Sequence, residues 1–316
     1  MQKYLVVLLD DTSTSYCHYN NLRTKKQLIS LENLKESILF AMKQNLMIQF
    51  VYPSYEIPTE YKDAIETIDH VKIMPSDAEN IDSADVMVFN SYKEFSSETI
   101  EKNKDKIFVF RISKSELFKN GKDIAKHIRN IIRLNIIITD IETFTDNDFE
   151  IYKKWLSEFG LIINETYRNE KVPQINLLTD RVLLERMNNC NAGYENITLA
   201  PNGNFYVCPA FYLEDENDTI GDLRNGLNIK NPQLYKIEYA PLCRICDAYH
   251  CKRCVWLNRK TTLEVNTPSH EQCVVSHLER NSSGNLLKEL KPIGYFSEIE
   301  IPSIDYLDPF DVRETF

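Results

Sequence analysis

Residues 243–254 read CRICDAYHCKRC, which is two Cys-x-x-Cys pairs separated by four residues: Cys243, Cys246, Cys251 and Cys254. Residues 189–208, NCNAGYENITLAPNGNFYVC, add Cys190, Gly203 and Cys208, and SHEQC adds Cys273. Seven of the eight cysteines therefore lie in one third of the chain. Four thiolates at the spacing of the central block can approach one point, which is favourable only around a metal ion or cluster, or in disulfides. The block predicts a metal site.

The cysteine pattern resembles the SPASM domain, the auxiliary iron–sulfur module of many radical S-adenosylmethionine enzymes that modify peptides. Twelve residues separate Cys190 from Gly203 and four separate Gly203 from Cys208, as in that family. The central block departs from it, since its spacing is two, four, two instead of two, five, three. The whole chain resembles the CXXX repeat peptide maturases, through SYCHYN (15–20), RCVWLN (253–258) and CVVSHLERN (273–281).

The SPASM resemblance implies a division of the ligands between two 4Fe–4S clusters. One cluster would be held by Cys243, Cys246, Cys251 and Cys273, and a second by Cys190, Cys208 and Cys254. The second set lacks a fourth cysteine, unless Cys17 folds back from far away in the sequence. His250, an exogenous ligand or an open iron could also complete it. Zinc is the alternative metal, with His250, His270 or His277 adding the eighth ligand of two tetrahedral sites.

Composition limits the class of protein. The chain has 316 residues, 43% of them hydrophobic and 27% charged, which suits a globular protein with a sizeable core. Neither a membrane span nor a signal peptide is evident, so we expect a cytoplasmic protein whose cysteines bind metal. The net charge of −10 argues against nucleic-acid binding. It would suit a basic peptide, or it only keeps the protein in solution.

Strand-like and helix-like segments alternate over the first half of the chain and predict an α/β fold with a parallel sheet, either barrel-like or open. The predicted strands are 3–11, 46–52, 71–74, 85–90, 106–112 and 134–140. The predicted helices are 31–44, with Ser30 as N-cap, a helix from Glu60, 122–132 and 146–159. We expect Thr145 or Asp146 to cap the last of these helices and Gly160 to end it, so that residues 161–165 lie beyond it.

The second half of the chain predicts a cysteine-rich region between two helices, 179–188 and 275–290. The Asn202–Gly203 pair predicts a tight hairpin. The tail from Pro292 is extended and acidic, and either packs across the body or docks a partner. We therefore divide the chain into an α/β domain (1–175) resembling a degenerate radical barrel, a SPASM-like domain (176–280), and a C-terminal segment (281–316).

The loop after the first strand departs from the radical S-adenosylmethionine enzymes that the N-terminal domain resembles. Their Cys-x3-Cys-x2-Cys motif leaves one iron open for the cofactor. Here the loop is DDTSTSYCHYNN (10–21), and alignment on Cys17 puts Asp10 and Thr14 at the other two positions. In the loop after the second strand, Glu56 stands where that family has an acid, but Ser54 and Tyr55 replace its glycines. The resemblance thus implies no radical chemistry in this chain, and S-adenosylmethionine is not expected as a cofactor.

Cys17 has two interpretations. A free cysteine is most often a small buried hydrophobe. Its position beyond the end of a strand also allows a peptide-binding or thiol-exchanging group, with His18 as a neighbouring acid–base group.

Three functions remain. The first is a peptide-maturation factor that binds a ribosomally made cysteine-repeat precursor and acts with a separate, complete radical enzyme. The second is an iron–sulfur electron-transfer or sulfur-handling protein, and the third a zinc-stabilised peptide-binding scaffold without chemistry. The missing radical motif favours the first and leaves open whether the chain is itself an enzyme.

Overall fold

One nine-stranded sheet runs through the chain in the computed structural model, which describes residues 2–187 and 189–311. The strands, in sequence order, are β1 (Tyr4–Leu8), β2 (Met47–Val51), β3 (His70–Pro75), β4 (Val86–Phe89), β5 (Ile107–Ile112), β6 (Arg133–Ile138), β7 (Gln174–Ile175), β8 (Asn196–Leu199) and β9 (Phe205–Tyr206). A separate two-stranded ribbon pairs β10 (Gly221–Asp222) with β11 (Gly226–Leu227). All neighbours in the large sheet are parallel except β8 and β9.

The helices that accompany the sheet are α1 (Leu31–Gln44), α2 (Thr59–Ile65), α3 (Ser97–Lys102), α4 (Lys114–His127), α5 (Asp146–Arg168), α6 (Thr179–Leu183), α7 (Pro209–Glu214), α8 (Val255–Thr262) and α9 (His270–Leu290). None of the helices in the described part of the chain is both long enough and apolar enough to cross a membrane.

The order of the strands shows how the sheet is wound. It is β7-β6-β5-β4-β3-β2-β1-β8-β9, so successive strands from β1 to β7 are always neighbours. Because crossovers between parallel strands are right-handed, this order puts the connecting helices on one face of the sheet. The predicted α/β fold with a parallel sheet is therefore confirmed, and its winding is that of a barrel.

Alternate residues of the central strands enter two different cores. Phe108 and Phe110 of β5 pack in the cluster that includes Leu117 of α4, whereas Val109 belongs to the cluster around β1 and β2. Successive side chains of a strand point to opposite faces of the sheet, so at β5 the two clusters lie on opposite faces. Loops that follow the strands consequently meet at one end of the sheet, which we call the mouth.

Several predicted helix boundaries were wrong. α5 does not end at Gly160 but continues to Arg168, through the segment 161–165. A glycine within a helix costs only about 1 kcal/mol relative to alanine, and the buried Phe159, Ile163 and Tyr167 continue the apolar face beyond it. Thr145, one of the two predicted caps, forms a capping box with Asp148.

Three other helices differ in length from the prediction. α4 begins at Lys114, because Ser113 caps it, and not at residue 122. α9 begins at His270, with Ser269 as its cap, so Cys273 lies in its first turn. α6 ends at Leu183, and Asn188, the predicted end, lies outside the described residues. The α3 helix was not predicted.

The predicted hairpin is present as β8 and β9, which pair antiparallel. Gly203 in the turn has φ +83°, and a Cβ there would lie 2.8 Å from Asn33 Nδ2. The backbone conformation and the close neighbour both favour glycine. Since β8 pairs with β1, the large sheet extends beyond residue 175, where we placed the end of the first domain. That division of the chain stays a prediction.

The tail packs across the body, one of the two roles expected for it. Tyr295 and Phe296 contact Tyr167 of α5, with ring centroids 4.8 and 6.0 Å away. Further along, the ring of Tyr306 lies 5.5 Å from that of His277 on α9. The tail therefore covers both α5 and the part of α9 that follows Cys273, the last of the cysteines.

An ion-pair cluster fixes α9 against the CRICDAYHC loop. Arg280, whose side chain is 1% exposed, donates from Nε and Nη2 to the two carboxylate oxygens of Asp247. Arg181 of α6 donates to the same carboxylate at 3.0 Å. Burial alone would raise the pKa of Asp247, but the hydrogen bonds from the two arginines lower it. The carboxylate thus connects α6, α9 and the loop.

We expect Arg280→Met to lower the free energy of unfolding by about 3 kcal/mol, because it removes one partner from a largely buried ion pair. Urea unfolding would measure the loss. Arg129→Met is the matched control, since Arg129 pairs with Glu165 on the surface, with exposed fractions of 43% and 57%. An exposed pair contributes about 1 kcal/mol or less. Equal losses in the two variants would contradict the structural role given to Arg280.

Candidate functional site

The loop after β1 closes over the mouth of the sheet. Asp10 is fully buried, and its carboxylate accepts hydrogen bonds from Thr12 N and from Tyr55 Oη, both at 2.8 Å. Thr14 Oγ1 accepts from Asn90 Nδ2 at 3.0 Å. The two positions aligned with the missing cysteines are therefore occupied by side chains that bond within the protein.

Asp10 and Tyr55 are both departures from the radical-enzyme pattern, one in each of two loops, and they contact each other. Burial, followed by the hydrogen bond to Asp10, raises the pKa of Tyr55, so the phenol stays protonated and can donate. The tyrosine occupies the position of a glycine that would let a cofactor approach the backbone. The contact between Tyr55 and Asp10 therefore fills space in the loop after β1 and in the loop after β2.

Glu56, the acid of the second loop, pairs with Lys62 and accepts from Asn80 Nδ2 at 2.9 Å. These hydrogen bonds, that from Lys62 first, lower the pKa of Glu56. Its side chain is 48% exposed. The carboxylate is thus engaged at the surface, beside a cavity of about 280 Å³ between β2 and β3.

Arg111 on β5 was missed by the sequence analysis, although a lone arginine in the apolar strand IFVFRI is an unusual feature. The side chain is buried and donates to Cys17 O at 2.8 Å, Tyr19 O at 2.6 Å and Asn90 Oδ1 at 2.5 Å. Burial lowers the pKa of the guanidinium. Arg111 therefore fixes the backbone of the loop that carries Cys17.

Four of the cysteines predicted as ligands line one small cavity: Cys243, Cys246, Cys251 and Cys273. Backbone N–H groups donate to two of their sulfurs at 3.4 Å, Ala248 N to Cys246 Sγ and Arg253 N to Cys251 Sγ. Hydrogen bonds of this kind stabilise thiolates and tune the potential of iron–sulfur clusters. These four residues lie around one cavity, and their role as ligands stays a prediction.

Burial makes these cysteines poor thiolates when no metal is bound. It raises the pKa of Cys243 to about 12 and that of Cys246 to about 11. The pKa of Cys273 is raised by burial and then by the negative charges of Cys251 and Cys243. Because a ligating thiol must lose its proton, metal binding at this cavity would release protons and become stronger as pH rises.

The other three predicted ligands lie closer to the mouth. Cys208 precedes α7, and Cys254 precedes α8, where its sulfur accepts from Leu257 N at 3.5 Å. Cys190 N donates to Lys252 O at 3.4 Å, which joins its segment to the end of the central block. Burial, and then the charges of Cys190 and Cys208, raise the pKa of Cys254. The three thiols are therefore close enough to influence one another.

Arg253 lies between the two groups of cysteines. It is 2% exposed and has φ +42°, an uncommon conformation for a residue with a side chain. Burial lowers the pKa of Arg253, whereas the charges of Cys243, Cys190 and Cys251 raise it. A buried cation here would offset the negative charge of thiolates on both sides.

Buried polar atoms without a hydrogen-bond partner in the described part of the chain occur in the same region. They include Arg253 Nε, Gln272 Oε1 and both ring nitrogens of His250. His250 Nε2 lies 3.0 Å from Glu279 Oε2, but not in hydrogen-bonding geometry. Of these atoms, Arg253 Nε and one protonated ring nitrogen of His250 are donors, and unpaired buried donors point to a bound group that supplies acceptors. The surroundings of the cysteines fit a cluster, whose inorganic sulfides accept hydrogen bonds.

The histidines considered as zinc ligands occupy different places. His277 Nε2 lies 3.6 Å from Cys246 Sγ, and its Nδ1 lies 2.8 Å from Cys273 O. His270 pairs instead with Asp308 of the tail at 2.6 Å. Within residues 2–187 and 189–311, no three His, Cys, Asp or Glu side chains are arranged to hold a single metal ion.

No family model matches the chain, and no curated protein matches its sequence. Among solved structures it is similar to anSMEcpe, an anaerobic sulfatase-maturating enzyme of the radical SAM/SPASM class. The structure of that enzyme with AdoMet and the Cp18Cys peptide has a TM-score of 0.62 at 14% identity, covering 92% of this chain and 99% of the other.

Two further structures of anSMEcpe agree. The structure with AdoMet alone has a TM-score of 0.59 at 13% identity, over 92% of this chain and 100% of that one. The structure with AdoMet and the Kp18Cys peptide has a TM-score of 0.57 at 12% identity, over 92% and 99%. At this identity the likeness is one of fold, and the chain has a radical SAM/SPASM-like fold.

Proposed function

We propose that this protein is a peptide-maturation factor of the CXXX repeat peptide maturase type. It binds a ribosomally made, cysteine-repeat precursor peptide and carries iron–sulfur clusters in its cysteine-rich region. A separate, complete radical S-adenosylmethionine enzyme supplies the radical.

The hydrogen bond between Tyr55 and Asp10 is the observation on which this proposal mainly depends. It occupies the mouth where the radical enzymes of similar fold have a cluster and its cofactor loop. Cys17 alone cannot hold a cluster of the three-cysteine type. The fold supports a role in peptide modification, while the closed loop supports a partner that performs the radical step.

The proposed ligands are the seven cysteines between 190 and 273. Cys243, Cys246, Cys251 and Cys273 would hold one 4Fe–4S cluster, and Cys190, Cys208 and Cys254 would hold another. Clusters of this type supply one-electron transfer, or an open iron for a substrate group. The chain's own residues surround them with donors: Ala248 N and Arg253 N face sulfur, and the Arg253 side chain provides positive charge.

A zinc-stabilised peptide-binding scaffold is the second candidate, favoured by the contact between His277 Nε2 and Cys246 Sγ at 3.6 Å. Zinc lies about 2.3 Å from sulfur and 2.0–2.1 Å from nitrogen in tetrahedral sites. A four-iron cluster is larger and holds its thiolates on separate irons. Four cysteines around one cavity supply one thiolate for each iron of the larger group.

Peptide binding is proposed from the fold and from charge. Two of the similar structures contain a peptide, and the net charge of −10 complements a basic leader. The groove between mouth and cysteine region, or an edge of the sheet, could accept an extended strand.

We expect the protein to bind the cysteine-repeat peptide encoded beside its gene more tightly than the same peptide with a scrambled leader. Fluorescence anisotropy at low and high salt would measure both dissociation constants. Binding should weaken with salt, because exposed charges are screened over about 8 Å at physiological ionic strength. Equal binding of both peptides, or of neither, would contradict the proposed function.

Protein prepared without oxygen should be brown, absorb broadly near roughly 400 nm and contain several irons and sulfides per chain. Since binding of metal is coupled to folding, replacing Cys243 and Cys246 together by Ala should make residues 190–273 sensitive to protease. Wild-type protein produced under iron limitation is the control for loss of metal without mutation. Stoichiometric zinc with neither iron nor sulfide would favour the scaffold instead.

The protein alone should not cleave S-adenosylmethionine, because Asp10 and Thr14 provide no thiolates for the radical cluster. Chromatography of 5′-deoxyadenosine after incubation with a strong reductant would test this, with a complete radical enzyme assayed in parallel. Product that requires both the protein and the reductant would overturn the assignment of the radical step to a partner.

A further inference from the structure

Cys17 follows β1, far in sequence from the other cysteines, but the fold turns its loop toward them. His18, the next residue, lies with Nδ1 3.0 Å from Ile138 O, at the end of β6. The same His18 lines a cavity of about 60 Å³ together with Lys252 and Cys254. The end of the central cysteine block therefore lies across this cavity from the loop that carries Cys17.

Helix α7, which begins directly after Cys208, contacts the loop that carries Cys17. Tyr212 of α7 donates from Oη to the carboxylate of Asp11 in that loop, and Arg23 Nη1 donates to the same phenol oxygen at 2.8 Å.

The same helix contacts α8, which begins directly after Cys254, because Trp256 Nε1 donates to Glu214 Oε2 at 3.0 Å. The backbone N–H of Cys190 donates to Lys252 O, two residues before Cys254. The fold thus brings together segments that are up to 237 positions apart in sequence.

We propose that Cys17 is the fourth thiolate of the second site, completing a four-cysteine set with Cys190, Cys208 and Cys254. This inference rests on the proposed function, since it requires that the cysteine-rich region bind iron–sulfur clusters. The first site already has four cysteines around one cavity. All eight cysteines would then be ligands, four to each cluster.

The surroundings of Cys17 suit a ligand. Arg111 holds the loop by donating to Cys17 O and Tyr19 O, so the cysteine is positioned by a buried cation and not by a mobile segment. Positive charge near a thiolate set offsets the net negative charge that a four-thiolate cluster carries.

A consequence is that the last cysteine of the radical motif has changed its role. In the pattern it would be one of three thiolates around a cluster with an open iron. Here the other two positions are the buried Asp10 and Thr14, bonded within the protein. The remaining cysteine closes the coordination of a different cluster, which would leave no open iron at the second site.

His250 is the competing fourth ligand. It lines the same cavity as Cys254, and neither ring nitrogen has a hydrogen-bond partner in the described part of the chain. Its Nε2, however, lies 3.0 Å from the carboxylate of Glu279, which in turn accepts from Tyr152 Oη at 2.6 Å. With a carboxylate beside Nε2, only Nδ1 of His250 is open to a metal, so the His250→Ala variant decides between the two residues.

The test compares the iron and sulfide content and the electron paramagnetic resonance of anaerobically reconstituted wild type, Cys17→Ala, Cys254→Ala, Cys243→Ala and His250→Ala. Wild type should hold about eight irons per chain. Cys17→Ala should lose one iron from the second cluster on mild oxidation and show a three-iron signal. Ferrous iron added together with 2-mercaptoethanol should restore the wild-type spectrum, because the first replaces the lost iron and the second supplies its thiolate. Cys254→Ala should affect the same cluster, and Cys243→Ala the other.

Cys17→Ser is the second variant, close to cysteine in volume, in case removal of the thiol impairs folding. It should keep the iron content and shift the spectrum, because an oxygen replaces one sulfur ligand. Circular dichroism of the metal-free variants would report their folding independently of the clusters.

Other outcomes separate this inference from the proposed function. Wild-type iron content and spectrum in Cys17→Ala, with loss in Cys254→Ala, would overturn the role of Cys17 and leave the function standing. If the expected spectral change occurs in His250→Ala and not in Cys17→Ala, the role of Cys17 is overturned and His250 is the fourth ligand of the second site, while the proposed function still stands. Wild-type protein without iron would overturn both the cofactor proposal and this inference.

Discussion

A buried guanidinium ties together the loops at the mouth of the sheet. Arg111 comes from β5, yet its hydrogen bonds go to the loop after β1 and to Asn90 at the end of β4. Removing such a charge from water is costly unless each N–H finds an acceptor. The loop after β1 therefore has to present its carbonyl groups inward, and this requirement determines where Cys17 and His18 lie.

The need to pair buried polar groups within the protein also explains why the mouth differs from that of a radical enzyme of similar fold. A site for a cluster and a cofactor needs open backbone and free thiolates, whereas this loop satisfies its polar groups internally. Asp10 binds Thr12 and Tyr55, and Thr14 binds Asn90. Because Asp10 and Tyr55 contact each other, the two substitutions form one structural unit. The loop has kept its position on the sheet while losing the geometry for that chemistry.

The sequence was a good guide to the sheet and a weaker guide to the site. Six parallel strands could be predicted from apolar runs such as 3–11 and 106–112, because strands buried on both faces have an unmistakable composition. The end of α5 could not, because Gly160 costs less than the packing of Ile163 and Tyr167 provides. The position of the loop that carries Cys17, across a cavity from Cys254, depends on the order of the strands and on Arg111. Local spacing carries no information about either.

Helix α9 connects the cysteine-rich region to the outer layer of the sheet, and this connection bears on how fast the protein is degraded in the cell. Cys273 lies in the first turn of α9. Glu279, in the middle of α9, accepts a hydrogen bond from the buried Tyr152 of α5. The remaining turns of α9 pack along α5. The cysteine-rich region and the outer layer of the sheet therefore share one rigid element. If Cys273 holds the proposed cluster, oxidative loss of that cluster would loosen α9 and, through it, expose the apolar face of α5. Cellular proteases recognise such exposed segments, so the abundance of this protein should follow the supply of iron and the absence of oxygen.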